Sequence, residues 1–140
     1  MKKLDVPINK YNWHLVVLIN VDIDNIKSVI QYLHYLYCDE SYINDVKKSI
    51  NDGYNNAITI TNLSINRSLV IINKTTNDKE FVNSIVHECR HVQSHIATKY
   101  NLDEKGEDVA YLIGHIISDI YYQLQYQHSS TGGLIKCERT

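Results

Sequence analysis

The apolar positions change their period several times along the chain. From Trp13 to Val21 they run almost unbroken and are rich in β-branched residues, which predicts a buried strand. Ile26, Val29, Ile30, Leu33 and Leu36 then recur at helical spacing, so a helix capped by Asp24 and running to about Tyr37 is expected. A short helix from Ser41 to Asn51 should stop before Gly53. Between Ala57 and Asn73 the period falls to that of a strand. Ile58 and Ile60 alternate with threonines, and Ser68 to Ile72 form a second β-rich run, so a hairpin or two adjacent strands should flank Asn62 to Asn66. Asn77 or Asp78 can cap a helix that continues to about Tyr100; after a turn at Asn101 to Gly106, a long helix is expected from Glu107 to about Gln127.

With no repeat and no break in composition, these elements predict one domain over residues 1–140, of α+β class, in which a small sheet packs on helices. Ser129, Ser130, Thr131, Gly132 and Gly133 predict a flexible tail from about 129. A length of 140 residues is enough to bury a real core, and 44% apolar with 21% charged residues is a globular balance.

Charge narrows the partners. A formal net charge of −2, with no run of lysine or arginine, argues against nucleic acid. The start Met1-Lys2-Lys3 resembles the charged part of an export signal, but Asp5, Pro7, Asn9 and Lys10 stand where its apolar part should be. The longest apolar run, Leu15 to Ile19, is far short of the roughly 20 residues that span a bilayer. Cys38, Cys89 and Cys137 are odd in number and widely spaced, which suggests reduced thiols. The expected setting is the cytoplasm, with no membrane partner.

The candidate chemistry is "HECRH", residues 87 to 91. On a helix turning about 100° per residue, the apolar set Phe81, Val82, Ile85, Val86, Cys89, Val92, Ile96 and Ala97 shares one arc, and His87 and His91 lie opposite it. Histidines one turn apart on one face can direct two ring nitrogens at one ion. Glu88, about a quarter-turn round, is placed to reach a zinc-bound water whose pKa the ion lowers, and to take its proton as it attacks a carbonyl. The same letters are also compatible with a solvated charged face. Cys89 falls in the apolar arc, which predicts a buried structural thiol. His95 lies about 12 Å along the axis from His87, too far to share one ion with it, though within reach of a substrate.

Catalytic zinc takes three protein ligands and a water. Asp103, Glu104, Glu107 and Asp108 follow the motif helix, and Glu107 is favoured as the third ligand because it shares a helix flank with Ala110 and Gly114, whose small side chains would allow a close approach. The apolar arc of that helix is Val109, Leu112, Ile113, Ile116, Ile117, Ile120 and Leu124. Acids in a first turn also serve simply to complement the helix dipole. Tyr111, one turn further on, is a weaker candidate to stabilise an oxyanion.

The stretches "SIVHECRHVQSHIA" and "GEDVAYLIGHI" resemble the zincin metallopeptidases, in particular the branch in which HExxH is followed by a downstream glutamate. The block from Ser68 to Ala97 is also similar to small, uncharacterised zincin-like proteins of bacteria and their phages. The resemblance implies Zn²⁺ held by His87, His91 and Glu107, Glu88 as catalytic base, and a sheet whose edge strand aligns a peptide or protein substrate. No HExxHxxGxxH pattern is present, which excludes the three-histidine branch. The expectation is a zinc-dependent metallopeptidase; the alternative is a zincin-fold binding or regulatory protein with a structural metal.

Overall fold

The computed structural model describes residues 1–53 and 57–132, with side chains described through residue 125. The strands are β1 (Lys2–Ile8), β2 (Trp13–Val21), β3 (Ala57–Asn62) and β4 (Arg67–Asn73). The helices are α1 (Ile26–Tyr35), α2 (Glu40–Asp52), α3 (Asp78–Tyr100) and α4 (Glu107–Gly132). One mixed sheet has the order β1-β2-β4-β3; β2 and β4 run parallel in the middle, and β1 and β3 are antiparallel edges. The class is α+β, as the alternation of periods predicts.

The middles of the two central strands, residues 15–19 and 69–72, are apolar because helices cover both faces of the sheet. Leu15, Val17, Ile19, Val70 and Ile72 pack with Ile85, Cys89, Val92 and Ile96 of α3 and with Leu112, Ile116 and Ile120 of α4. On the opposite face Val16, Leu18, Leu69 and Ile71 pack with Val29 and Leu33 of α1 and with Ile43 and Val46 of α2. The pleat thus sends alternate residues of each strand into two separate cores.

The sequence pattern missed β1. Leu4, Val6 and Ile8 alternate correctly and are buried, but Pro7 and the charged residues around them obscure the signal. Pro7 is tolerated because β1 is an edge strand, where a missing N–H on the outer side leaves no ladder bond unmade. The cap expected at Asp24 also moves: Asp22 accepts from the Asp24 N–H, and Asn25 reaches back to the Asp22 N–H, so a short 3₁₀ turn precedes α1. Asp39 and Asn77 cap α2 and α3 by accepting from the Tyr42 and Glu80 N–H groups.

Among the described residues, four of the five non-glycine residues with positive φ are asparagines: Asn12, Asn20, Asn66 and Asn101. Asparagine tolerates this region better than most residues, and Asn101 uses it to end α3. α4 continues to Gly132, past the expected start of the tail at 129; residues 133–140 of that tail lie outside the described residues. No described helix is long and apolar enough to cross a membrane.

Candidate metal centre

Residues 87 to 91 fall in the middle of α3, on a helix held at both ends. Asn77 caps its start, and near its end the Tyr100 hydroxyl donates to the Tyr11 carbonyl at 2.7 Å. Cys89 and Val92 bury the helix against the sheet. Its thiol is pushed up to about 12, first by burial and then by the Glu88 charge, which makes it the inert core cysteine expected. Val82 and Val86, placed by helical phase in the same apolar arc, are instead exposed; the contact with α4 covers a narrower stripe than the sequence pattern suggests.

His87 and His91 are exposed and turned towards each other: their Nε2 atoms lie 3.3 Å apart and their rings are nearly perpendicular, at 75°. Glu88 differs sharply from its neighbours, being only 7% exposed while the His87 side chain is 67% exposed. β3 covers it. The Thr59 hydroxyl lies 2.7 Å from Glu88 Oε1 and 3.1 Å from the Glu88 carbonyl oxygen, so a strand hydroxyl holds one carboxylate oxygen. The other, Oε2, lies 3.9 Å from His87 Nε2. The motif therefore does not simply open away from the core; it lies along the edge of the sheet.

His95 continues this arrangement. Its ring stacks on His91 with centroids 6.5 Å apart, and its Nδ1 lies 2.7 Å from the Thr61 hydroxyl. Thr61 in turn meets Ser68 at 2.7 Å, and the Trp13 indole N–H donates to Ser68 at 3.0 Å. A polar chain thus runs from the core to the histidine stripe. Burial, and after it the neighbouring His91, lower the His95 pKa below the ordinary imidazole value, which keeps the ring neutral at pH 7. Thr59 and Thr61 are partners of Glu88 and His95 that the apolar pattern did not single out; their signal is the threonine alternation of β3 with Ile58 and Ile60.

The acids after α3 are placed differently from one another. Glu104 folds back onto α3, accepting from Gln93 at 2.7 Å, Ser94 at 2.9 Å and Arg90 at 3.2 Å. Those bonds lower its pKa, the one from Gln93 contributing most. Glu107 is exposed in the first turn of α4. The flank it shares with Ala110 and Gly114 faces open space, since a Cβ added at Gly114 would meet nothing within 4 Å. Asp108 pairs with Lys10 at 3.5 Å. Tyr111 stands beside Pro7, Ile8 and Tyr11 at the β1 edge, whereas Glu88 and His95 contact β3 at the other.

Two imidazoles about 2.0–2.1 Å from one tetrahedral ion place their nitrogens roughly 3.3–3.4 Å apart, which the His87 and His91 pair matches. The spacing suits a pair of nitrogens on one zinc ion, and it is equally that of a hydrogen bond between the two rings. Among the described residues, however, no three His, Cys, Asp or Glu side chains form a group that could hold a metal, so Glu107 is not gathered with the pair. Comparison with protein families, with curated proteins and with solved structures returns no match.

Proposed function

We propose that this protein is a zinc-dependent metallopeptidase of the zincin type, in which His87 and His91 hold the ion and Glu88 is the general base. The convergence of the two Nε2 atoms at 3.3 Å carries the proposal. Bound zinc supplies Lewis-acid activation of water near neutral pH. The chain supplies the rest: Thr59 fixes Glu88 Oε1, leaving Oε2 on the histidine side to take a proton from the attacking water and return it to the leaving amine.

A third protein donor is proposed from the acids that follow α3. The motif pattern favours Glu107; placement favours Glu104, which lies against Ser94, one turn from His91 on the same helix. To bind an ion, Glu104 would have to leave Arg90, Gln93 and Ser94.

The substrate strand is proposed to pair with β3. The other edge is closed: His115 Nε2 donates to the Pro7 carbonyl at 3.1 Å, Gln123 donates to the Asp5 carbonyl at 2.8 Å, and Pro7 has no N–H. β3 is the opposite edge strand of the sheet, and an edge strand is where an extended peptide can be added.

The test compares wild type, Glu88→Gln and His91→Ala for zinc content by elemental analysis and for hydrolysis of unfolded casein with and without chelator. Zinc should be near stoichiometric in the first two, much reduced in the third, and only the wild type should cleave. Equal zinc in wild type and His91→Ala, or equal hydrolysis by wild type and Glu88→Gln, overturns the proposal.

A further inference from the structure

A peptide added to β3 continues its pleat, so its side chains alternate between the two faces of the sheet. On one face Thr59 and Thr61 point to Glu88 and His95 of α3. On the other, Ile58 and Ile60 pack towards α1 and α2. Along the edge of β3, from Thr59 to Leu63, and opening towards the turn joining α1 to α2, lies a groove of about 550 Å³ whose far wall is Leu36, Tyr37, Asp39 and Tyr42.

The chemistry of this groove is asymmetric. Asp39 is its one ionised lining residue among those described, and one of its oxygens is already engaged by the Tyr42 N–H. The end of α1 and the start of α2 meet here, and their opposite half-charges offset each other. Asp39 therefore sets the sign of the local potential. Tyr37 stands 74% exposed with φ 59°, a backbone conformation uncommon for an aromatic residue.

We propose that this groove takes the side chain of an arginine or lysine from a peptide paired along β3, so that the substrate class is a chain with a basic residue next to the one lying over α3. Leu36, Ile60 and Leu63 take the aliphatic stem, Tyr37 and Tyr42 offer ring faces to the cationic head, and Asp39 balances its charge. The proposal rests on the metallopeptidase reading for the fate of the peptide; the pocket itself can be tested without turnover.

The test uses full-length Glu88→Gln protein, which leaves the peptide intact, titrated with short glycine-serine peptides carrying one central Arg, Leu or Asp and followed by amide chemical shifts. The Arg peptide should bind about tenfold more tightly than the other two, with shifts centred on Thr59 to Leu63, Tyr37 and Tyr42. Adding Asp39→Asn should collapse that ratio towards one, because asparagine caps α2 as well as aspartate does but carries no charge. Equal binding of the Arg and Leu peptides, an Arg preference that survives Asp39→Asn, shifts away from β3, or no binding of any peptide overturns the proposal. Cleavage by the zinc-loaded wild type is scored separately. Arg-selective binding without cleavage keeps the groove and sinks the peptidase, while cleavage without Arg selectivity does the reverse.

Discussion

Thr59 holds Glu88 from across the gap between strand and helix, its hydroxyl 2.7 Å from Oε1. This bond ties an edge strand to the acid of the motif, and it makes a sharp prediction. Thr59→Val keeps the shape of the side chain and leaves a nearly buried carboxylate without its donor, which costs about 1–3 kcal/mol of stability. With Glu88 free to swing, kcat should fall by about tenfold to a hundredfold, while zinc content stays at the wild-type level. Thr59→Ser should restore both. Urea unfolding, elemental analysis and casein turnover on the three proteins check this; a turnover unchanged in Thr59→Val means that β3 does not orient the acid.

The pattern of apolar positions carried most of the architecture because burial imposes it directly. The unbroken run at Trp13 to Val21 is a central strand covered on both faces, and the helical phase of α3 placed Ile85, Cys89, Val92 and Ile96 in the core. What stayed hidden depended on contacts between distant segments. The burial of Glu88 is imposed by Thr59, 29 residues earlier in the chain, and no local period encodes that meeting. Gln93, a polar residue 1% exposed, is likewise explained only by Arg90 and Glu104 around it. The helical phase brought the two histidines together, since i and i+4 suffice; the position of a third donor depends on how the turn after α3 folds back.

That turn separates the two candidate third donors. If Glu104 completes the site, Glu104→Gln should weaken zinc binding by at least the roughly tenfold to hundredfold that losing even an outer-shell partner of a metal ligand costs, and Glu107→Gln should leave it unchanged. If Glu107 completes it, the outcomes exchange. Competition titration with a chromogenic chelator reads both variants on one scale. Unchanged affinity in both would show that the histidine pair acts without either acid.

Glu104 also makes stability depend on pH. Its pKa is lowered in the folded protein, chiefly by the Gln93 hydrogen bond and then by Ser94, so the unfolded chain binds the proton more readily. The contribution is fully present above the ordinary glutamate range and drains away as pH falls through the lowered folded value. The side chain is 39% exposed, so solvent screening keeps the effect modest. Urea midpoints measured between neutral pH and about pH 3 should fall less steeply in Glu104→Gln than in wild type. Parallel profiles would show that the carboxylate is not selectively stabilised by the fold.

The opposite edge of the sheet yields a prediction about association. The carbonyls of Asp5 and Pro7 point outwards from β1, and α4 covers them with Gln123 and His115. An uncovered edge is a template for pairing with another chain. Replacing both residues, His115→Leu with Gln123→Leu, removes the donors but keeps bulk on the helix, and the two lost bonds should cost about 1 kcal/mol each. Because the freed carbonyls then seek partners, the double variant should also self-associate more strongly than the wild type as its concentration rises. Sedimentation velocity over a concentration series reads the association, and amide exchange along β1 reads the local loosening. A variant that is destabilised yet shows the wild-type concentration dependence would mean that Pro7 and the charges of Lys3 and Asp5 protect the edge unaided, and that His115 and Gln123 serve to dock α4.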